Sequence, residues 1–200
     1  MSQTLYSSPK SSLHSSPHVS TAGTPVAGVR HEPANAAPGL KQAMRHLVGG
    51  VCVVTAGIGE ARTGATVTSA HSLSVEPETM LVSINLSSST WTAIRAHRHF
   101  CVNLLGADHS AIADRFAGRG GLKGPARYEG ARWLPLETGA LALDGALAAI
   151  DCEVEHVVER HSHAFIFGAV RAIRLGESGP ALVYSQGRYG AYGRNEPVIV

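Results

Sequence analysis

The stretch TGATVTSAHSLSVEPETMLVSINL, residues 63–86, contains two patterns that together decide the fold of this 200-residue chain. Its second half alternates so that Met80, Val82, Ile84 and Leu86 share one face, which predicts a half-buried strand. Its first half consists mostly of Gly, Ala, Ser, Thr and Val, with no nucleophile beside a base. Because small residues let a ligand approach the backbone closely, this half predicts a binding surface rather than a core element.

Short apolar runs on either side of this stretch predict further strands. They read VCVVTAG, FCVNLL, AIDCEVEHVV, HAFIFGAVRAIRLG and PALVYSQGRYGAY. In AIDCEVEHVV, the alternation predicts that Asp151, Glu153 and Glu155 lie on the solvent face. Strands outnumber helices and do not alternate with them, so we expect a mainly β fold, a closed antiparallel barrel with a few short helices.

Two short helices are predicted between these strands. SSSTWTAIRAH begins with hydroxyl side chains suited to an N-cap, and its Trp91 and Ile94 fall on one inward face. DHSAIADRFAG is expected to be capped by Asp108 and to end at Gly118. A further helical pattern starts at Leu40.

Composition places the chain among ordinary folded proteins. It is 44% hydrophobic and 16% charged, and its net charge of +2 argues against nucleic acid or an anionic membrane as a partner. No apolar run approaches the roughly 18 residues that span a bilayer. Cys52, Cys101 and Cys152 each lie in a separate strand-like run, so we expect reduced core thiols and a cytoplasmic protein.

The chain divides near residue 37. Residues 1–36 are rich in Ser, Pro, Ala and His and show no apolar periodicity. Such a segment cannot bury enough apolar surface to offset the entropy of ordering it, so we expect a disordered N-terminal tail followed by one folded domain, residues 37–200. A targeting peptide or a partner-binding arm would have the same composition.

The sequence contains only weak evidence for side chains that act as a nucleophile, as a general acid or base, or as metal ligands. GIGEAR, residues 57–62, holds a Gly-x-Gly but lies between two predicted strands, so a turn explains it better than a nucleotide fingerprint does. His161 and His163 alone are poor evidence for a metal ion, and we expect none. No Ser or Cys lies in a nucleophile elbow, and no carboxylate pair is placed for acid–base work.

A second hydroxyl-rich segment, NLSSSTW at residues 85–91, follows the strand of the opening stretch. Hydroxyl groups and backbone amides at a helix N-terminus hold phosphate groups well. The two segments together predict a surface for a large, planar, polar ligand that carries phosphate. Composition alone leaves open the alternative that both are polar loops.

In their order along the chain, these segments resemble the short flavin reductases with the FMN-binding split-barrel fold. That family includes the reductase components of two-component flavin-dependent monooxygenases and the flavin reductase of pyrimidine catabolism. The resemblance covers residues 40 to about 192 and rests on GGVCVVTAG, TGATVTSAHSLSVEPETMLVSIN, SSSTWTAI, FCVNLL, ADRFAG, ALAAIDCEVEHVV, HAFIFGAV and ALVYSQGRYG. It implies a six-stranded antiparallel Greek-key split β-barrel of the FMN-binding type.

The resemblance also implies which residues bind the flavin. They fall in the two hydroxyl-rich segments and are Thr66, Val67, Thr68, Ser69, His71, Ser72, Asn85, Ser89 and Thr90. Those at positions 66–69 would contact the isoalloxazine ring and ribityl chain. His71 and Ser72 would lie near the phosphate, or near the diphosphate of FAD, while the remaining three would complete the cradle.

The same resemblance assigns the nicotinamide side of the site. His163 matches the histidine of a Gly-Asp-His motif that lies beside the nicotinamide, and is the candidate catalytic residue. Arg188 and Tyr189 would line the same opening. Two departures bear on these contacts, because Ser162 replaces the usual Asp and His71 replaces a common aromatic or Cys.

The implied function is that of an NAD(P)H:flavin oxidoreductase. It would reduce FMN or FAD with NADH or NADPH as hydride donor and supply reduced flavin to a partner monooxygenase, as a homodimer with flavin at the subunit interface. An alternative is a split-barrel flavin-binding protein without catalysis, such as a carrier or sensor. An oxidase of the pyridoxine-phosphate type is disfavoured, because the chain lacks a clear basic cluster for a substrate phosphate.

Overall fold

The computed structural model of the protein describes residues 39–193. Three α-helices occur in this range: α1 (Leu40–Ala43), α2 (Ser89–His97) and α3 (Ser110–Phe116). The strands of the same range are β1 (Gly49–Gly50), β2 (Cys52–Ala56), β3 (Thr63–Val67), β4 (Ala70–Val75), β5 (Glu78–Asn85), β6 (His99–Leu104), β7 (Trp133–Pro135), β8 (Leu141–Leu143), β9 (Ala148–Arg160), β10 (His163–Leu175), β11 (Ala181–Ser185) and β12 (Arg188–Tyr192). Short 3₁₀ segments occupy Met44–His46, Gly59–Ala61, Ala107–His109 and Gly124–Tyr128.

The main sheet contains seven antiparallel strands in the order β3-β2-β6-β9-β10-β5-β4. Its two edge strands, β3 and β4, follow each other in the chain and are separated only by Thr68 and Ser69. The sheet therefore curls into a half-barrel whose edges approach each other at this short link. A second sheet joins β1 to the β11–β12 hairpin, and β7 and β8 form a small hairpin of their own.

The core lies inside the curl of the main sheet and is closed by α2. Phe100, Val82, Ile166 and Ile94 are all fully buried there. Gly168 of β10 is required by this packing, because a Cβ atom at that position would lie 2.5 Å from the Phe100 ring. Burial of such side chains stabilises the fold by about 1.5–3 kcal/mol each.

The predicted mainly β split-barrel architecture is confirmed, but the sheet is a half-barrel rather than the closed barrel expected from the strand pattern, and its strand count differs. The main sheet has seven strands rather than six, because the first half of the opening stretch forms the two edge strands β3 and β4. Thr and Val are β-branched and favour strand formation. The Gly, Ala and Ser residues between them have small side chains, which leave the backbone of these edge strands accessible to a ligand. The turn predicted for residues 57–62 is present as a 3₁₀ segment between β2 and β3.

Helix α2 has the predicted cap and the predicted buried face. The Ser88 hydroxyl accepts a hydrogen bond from the Trp91 backbone N–H at 3.1 Å, and Trp91 and Ile94 are buried. This N-cap fixes where the helix begins. The side chains of residues 88–90 are therefore presented at its start.

The predicted cap of α3 is wrong. The helix begins at Ser110, whereas Asp108 lies in the preceding 3₁₀ segment with its carboxylate exposed. His109 occupies the N-cap position of α3 without a side-chain cap, and its Nδ1 instead accepts the N–H of Gly106, the N-cap of the preceding 3₁₀ segment, at 3.2 Å. The predicted end of the helix is correct, because Gly118 follows it with a φ of 84°.

Asp151 contradicts the predicted solvent face of β9. Glu153 and Glu155 are exposed, but Asp151 is completely buried. Its carboxylate accepts hydrogen bonds from the Thr138 backbone N–H at 2.7 Å and from the Thr138 hydroxyl at 2.6 Å. The loop of the β7–β8 hairpin covers this part of β9. The prediction failed because the alternation of residues within β9 does not show which other segments pack against the strand.

The three cysteines are free thiols in the core. Burial raises the pKa of Cys52 and of Cys152 to about 12, so both are protonated and unreactive near neutral pH. No helix within residues 39–193 is long and apolar enough to cross a bilayer. The N-terminal tail predicted for residues 1–36 lies outside the described residues.

Candidate functional site

A small cavity lies where β3 ends, beside the β11–β12 hairpin and the end of α3. Its volume is about 220 Å³, and we call it the tyrosine cavity. It is lined by Val51, Thr66, Val67, Thr68, Ala117, Arg119, Tyr184 and Tyr189. Four predicted site residues, the three from β3 and its link together with Tyr189, therefore meet in one place.

Hydrogen bonding and aromatic packing fix the walls of the tyrosine cavity. The Thr66 hydroxyl donates to the Ala113 carbonyl at 2.6 Å, which ties β3 to α3. The Tyr184 and Tyr189 rings pack edge to face with centroids 5.4 Å apart. Burial and the nearby Asp114 carboxylate raise the pKa of Tyr189, so its hydroxyl stays protonated at neutral pH.

The chain between β5 and α2, residues 85–90, forms a tightly bonded turn that we call the α2 entry turn. The Asn85 side-chain carbonyl accepts from both the backbone N–H and the hydroxyl of Ser87, each at 2.8 Å. The Ser88 hydroxyl donates to the Asn85 carbonyl at 2.7 Å. Asn85, one of the predicted flavin-binding residues, therefore stabilises the conformation of this turn by accepting these hydrogen bonds.

The first turn of α2 retains unused hydrogen-bonding capacity. The N–H groups of Ser89 and Thr90 have no carbonyl partner within the helix, as is general for the first residues of a helix. The Thr90 hydroxyl is buried, and residues 39–193 provide it with no hydrogen-bond partner. Donors at a helix N-terminus attract an anion, so this turn fits a phosphate group.

Strand β3 and the α2 entry turn are joined directly. The hydroxyl groups of Thr63 and Ser89 are 2.8 Å apart, within hydrogen-bonding distance. Farther along, the Ser69 hydroxyl donates to the Ser83 carbonyl of β5 at 3.0 Å. The two hydroxyl-rich segments are therefore in direct contact in the fold.

His163 lies beside the same turn. It pairs with Asn85 across the β5–β10 ladder, and the Leu86 N–H donates to the Ser162 carbonyl at 3.0 Å. The Ser162 hydroxyl and His163 Nδ1 are 2.9 Å apart, which orients the exposed imidazole. The Ser in place of the usual Asp thus still contacts the histidine.

Three predicted residues lie away from these features. His71 and Ser72 are exposed on β4, where they pair with Leu81 and Met80, several residues from the α2 entry turn along the ladder. Arg188 is exposed at the tip of the β11–β12 hairpin and does not line the tyrosine cavity. A site formed within this subunit does not bring these three side chains to the others.

Four residues that line the cavity were not predicted from the sequence: Val51, Ala117, Arg119 and Tyr184. Arg119 had a usable signal, since it stands alone among glycines directly after the predicted helix end, in GRGG. Tyr184 and Val51 carried no such signal, because their place depends on the pairing of β1 with β11.

A larger groove of about 1060 Å³ lies elsewhere, between residues 106–109 and residues 174–180. Two of its charged side chains pair with each other, since Arg174 Nη2 lies 2.8 Å from Asp144 Oδ1. The groove contains none of the predicted site residues. Within residues 39–193, no three His, Cys, Asp or Glu side chains are placed to hold a metal ion.

Comparison with known proteins gives a consistent result. The flavin reductase like domain family matches residues 44–193. The protein FMN reductase (NADH) RutF 2 of Rhizobium rhizogenes is 36% identical over 151 residues, which cover 76% of this chain and 86% of that relative.

Solved structures agree with the sequence match. BorF, the flavin reductase component of a bacterial two-component tryptophan halogenase, aligns with a TM-score of 0.72 at 25% identity, covering 78% of this chain and 98% of its own. A flavin reductase domain protein from Arthrobacter gives 0.70 at 28% identity, with coverage of 80% and 97%. The NADH:FAD oxidoreductase SgcE6 of Streptomyces globisporus, solved with NAD and FAD fragments, gives 0.70 at 25% identity, with coverage of 80% and 93%.

Proposed function

Because the chain belongs to the flavin reductase like domain family, we propose that it is an NADH-dependent flavin reductase that reduces FMN or FAD. The observation that carries this function is the hydrogen bond between Thr63 and Ser89. It joins the small-residue strand, which suits a planar ring, to the helix start, which suits a phosphate. One molecule that has both parts is a flavin nucleotide.

The site fits a flavin in its chemistry. The α2 entry turn offers the free N–H groups of Ser89 and Thr90 together with an unpartnered buried hydroxyl. The tyrosine cavity offers apolar and aromatic walls with the Thr66 and Thr68 side chains at its edge. Bound flavin supplies the hydride-accepting ring, which no side chain of this chain can replace.

The residues of the chain bind and orient rather than react. Residues 66–69 place backbone and small side chains against the ring, and the α2 entry turn holds the phosphate. His163, oriented by Ser162, contacts the nicotinamide part of NADH and sets its approach. Holding two reactants in one geometry lowers the barrier without an acid or a base from the protein.

The protein acts as a homodimer in this proposal. Phe165 and Phe167 point from one face of β10, where Phe167 pairs with Leu81 and Phe165 with Val158. Phe165 is 43% exposed and Val158 is 42% exposed. An apolar patch of this kind marks an interaction surface, and a second subunit there would also bring its own side chains towards the exposed His71 and Ser72.

Light scattering tests the dimer. We expect twice the chain mass of 20.9 kDa, and Phe165→Glu should shift the protein towards the monomer. An active parent protein of 20.9 kDa at micromolar concentration would refute this part of the proposal.

Reduced flavin produced here serves a separate oxygenase, as the similarity to a halogenase reductase component supports. The exposed rim of the site suits a flavin that is exchanged rather than retained. The three buried free thiols suit a reducing compartment, so the proposed location is the cytoplasm. The folded unit of the proposal comprises residues 37–200, with residues 1–36 as a tail.

The deciding experiment is NADH oxidation, followed by near-ultraviolet absorbance, with FMN, FAD or no flavin added. We expect turnover that depends on added flavin and produces reduced flavin in the absence of oxygen. Tight flavin binding without NADH oxidation would instead identify a flavin carrier or sensor. The absence of both would refute the proposed function.

A further inference from the structure

Arg119 lies just beyond the end of α3 and has no role in the proposed function. It is the first residue after Gly118, and its backbone N–H donates to the Asp114 carbonyl at 3.0 Å. With the left-handed φ of 84° at Gly118, this bond closes the end of α3. The helix end therefore fixes the backbone from which the Arg119 side chain extends.

The side chain of Arg119 is also held. Its Nη1 lies 2.8 Å from Asp114 Oδ1, and its guanidinium carbon lies 5.7 Å from the centre of the Tyr189 ring. The side chain is 58% exposed. A guanidinium has five N–H donors, and within residues 39–193 its one charged neighbour is Asp114, whose Oδ1 is left without a hydrogen-bond partner despite the short distance.

This arrangement is poorly explained as a stabilising ion pair. Pairs this exposed contribute little to stability, because water screens the charges. The same guanidinium, however, forms part of the wall of the tyrosine cavity, beside Thr66, Thr68 and Tyr189. It is a fixed positive charge with free donors at the rim of an aromatic cavity.

The chemistry of the cavity selects its ligand. Two tyrosine rings accept a planar group, and an oriented guanidinium matches the oxygens of phosphate in charge and geometry. Asp114 partly offsets the positive charge, but it engages only one of the two terminal nitrogens. A nucleotide, which has both a ring and a phosphate, satisfies both features.

We propose that Arg119 binds the phosphate of a nucleotide that occupies the tyrosine cavity. The inference rests on the proposed function, which brings two such nucleotides to the protein; because it holds the FMN phosphate at the α2 entry turn, the pyrophosphate of NADH is the group left for Arg119. Both present the same chemistry to the guanidinium, a phosphate or pyrophosphate oxygen. The two sources can be distinguished by comparing each nucleotide with a related molecule that lacks the phosphate, because only binding of the phosphate-bearing molecule should depend on Arg119.

The test compares dissociation constants of the full-length protein and Arg119→Ala for four probes. These are FMN and riboflavin, which lacks only the phosphate, and NADH and dihydronicotinamide riboside, which lacks both the pyrophosphate and the adenosine. We expect Arg119→Ala to weaken binding of FMN or of NADH about 10-fold or more, and to change the matching neutral probe less than about twofold. A response to NADH identifies the pyrophosphate of the dinucleotide, whereas a response to FMN would place the flavin phosphate at Arg119 instead of at the α2 entry turn.

Arg115→Ala is the matched control. Arg115 lies on the same helix and has the same charge, but its guanidinium donates to the Glu129 carbonyl, outside the tyrosine cavity. It should leave all four constants within about twofold, whereas Arg119→Lys should retain part of the affinity and its salt dependence. Unfolding temperatures of the variants report on folding.

Two results would overturn the inference. One is equal weakening of charged and neutral probes by Arg119→Ala, which would make Arg119 a packing residue. The other is unchanged binding of all four. If the parent protein binds neither flavin nor NADH, the proposed function itself fails, and that outcome is distinct from a loss confined to the variant.

Discussion

Asn85 and His163 are paired directly across the ladder of β5 and β10. The residue that shapes the α2 entry turn therefore lies beside the histidine that begins the longer strand. In the proposed function, the first organises the phosphate end of the flavin and the second meets the nicotinamide. The pairing of β5 with β10 therefore fixes the relative position of the residues that would hold the two reactants.

His163→Ala is predicted to impair hydride transfer and to leave flavin binding nearly unchanged. One lost hydrogen bond or stacking contact of about 1–2 kcal/mol corresponds to roughly 5–30-fold in kcat/KM for NADH. Flavin dissociation constants should move less than about twofold. Stopped-flow bleaching of flavin against NADH concentration measures the first effect.

His161→Asn is the control for this variant. His161 is exposed in the same turn with a φ of 53°, a conformation that Asn accepts readily. Its kinetics should match those of the parent. Weakened flavin binding with unchanged kinetics in His163→Ala would return His163 to a purely structural role.

Asn85→Ala is predicted to weaken FMN binding about 5–10-fold. The substitution removes the acceptor for two hydrogen bonds from Ser87, which loosens the α2 entry turn at about 1 kcal/mol or slightly more. Fluorescence quenching of FMN measures the change.

Asn85→Asp separates shape from charge. It keeps the acceptor for Ser87 but adds a negative charge beside the phosphate site. We expect it to weaken FMN binding while leaving riboflavin binding close to that of the parent. Equal effects on the two ligands would show that no phosphate is bound at this turn.

Patterns confined to one segment allowed correct predictions from the sequence. The alternation in β5 and the hydroxyl N-cap of α2 involve neighbours along the chain, and both are present as expected. Asp151 was placed wrongly because its partner, Thr138, comes from another hairpin. Tyr184 and Val51 were missed because their place in the cavity depends on the pairing of β1 with β11, which are far apart in the sequence.

Gly64→Ala is predicted to destabilise the protein and weaken flavin binding together. A Cβ atom at this position would lie 2.6 Å from the Val54 carbonyl oxygen of β2 and 2.8 Å from the Phe116 ring of α3, so both β2 and α3 must move relative to β3. Overpacking of this kind costs about 1–3 kcal/mol. Thermal unfolding should show a fall of roughly 2–12 °C.

Gly50→Ala provides the comparison for Gly64→Ala. A Cβ atom at Gly50 meets nothing within 4 Å, and the residue is exposed. Its unfolding temperature should stay close to that of the parent. A similar fall in both variants would mean that loss of glycine, rather than the contact with Phe116, causes the effect.

Removal of residues 1–36 is predicted to leave flavin reductase activity and the unfolding temperature nearly unchanged. The segment has no apolar periodicity with which to dock onto a folded domain. Activity assays and thermal unfolding of residues 37–200 test this. Loss of solubility or of flavin binding on truncation would contradict the expectation.

His99 is predicted to make the protein less stable below neutral pH. Burial lowers its pKa below the usual 6.5, with a further contribution from His97, while the Thr138 and Gly57 carbonyls and Asp151 act in the opposite direction. Below about 6.5, the unfolded chain takes up a proton at this residue that the folded protein resists. The His99 contribution to stability is therefore complete above that pH and is lost as the pH falls.

Urea unfolding between pH 8 and about pH 5 measures this loss. His99→Gln should flatten the dependence in that window, because the variant no longer gains a proton on unfolding at this position. His156→Gln, at an exposed histidine of β9, should keep the slope of the parent. If His99→Gln retains the full slope while His156→Gln loses it, the acid sensitivity arises from surface imidazoles and not from the buried one.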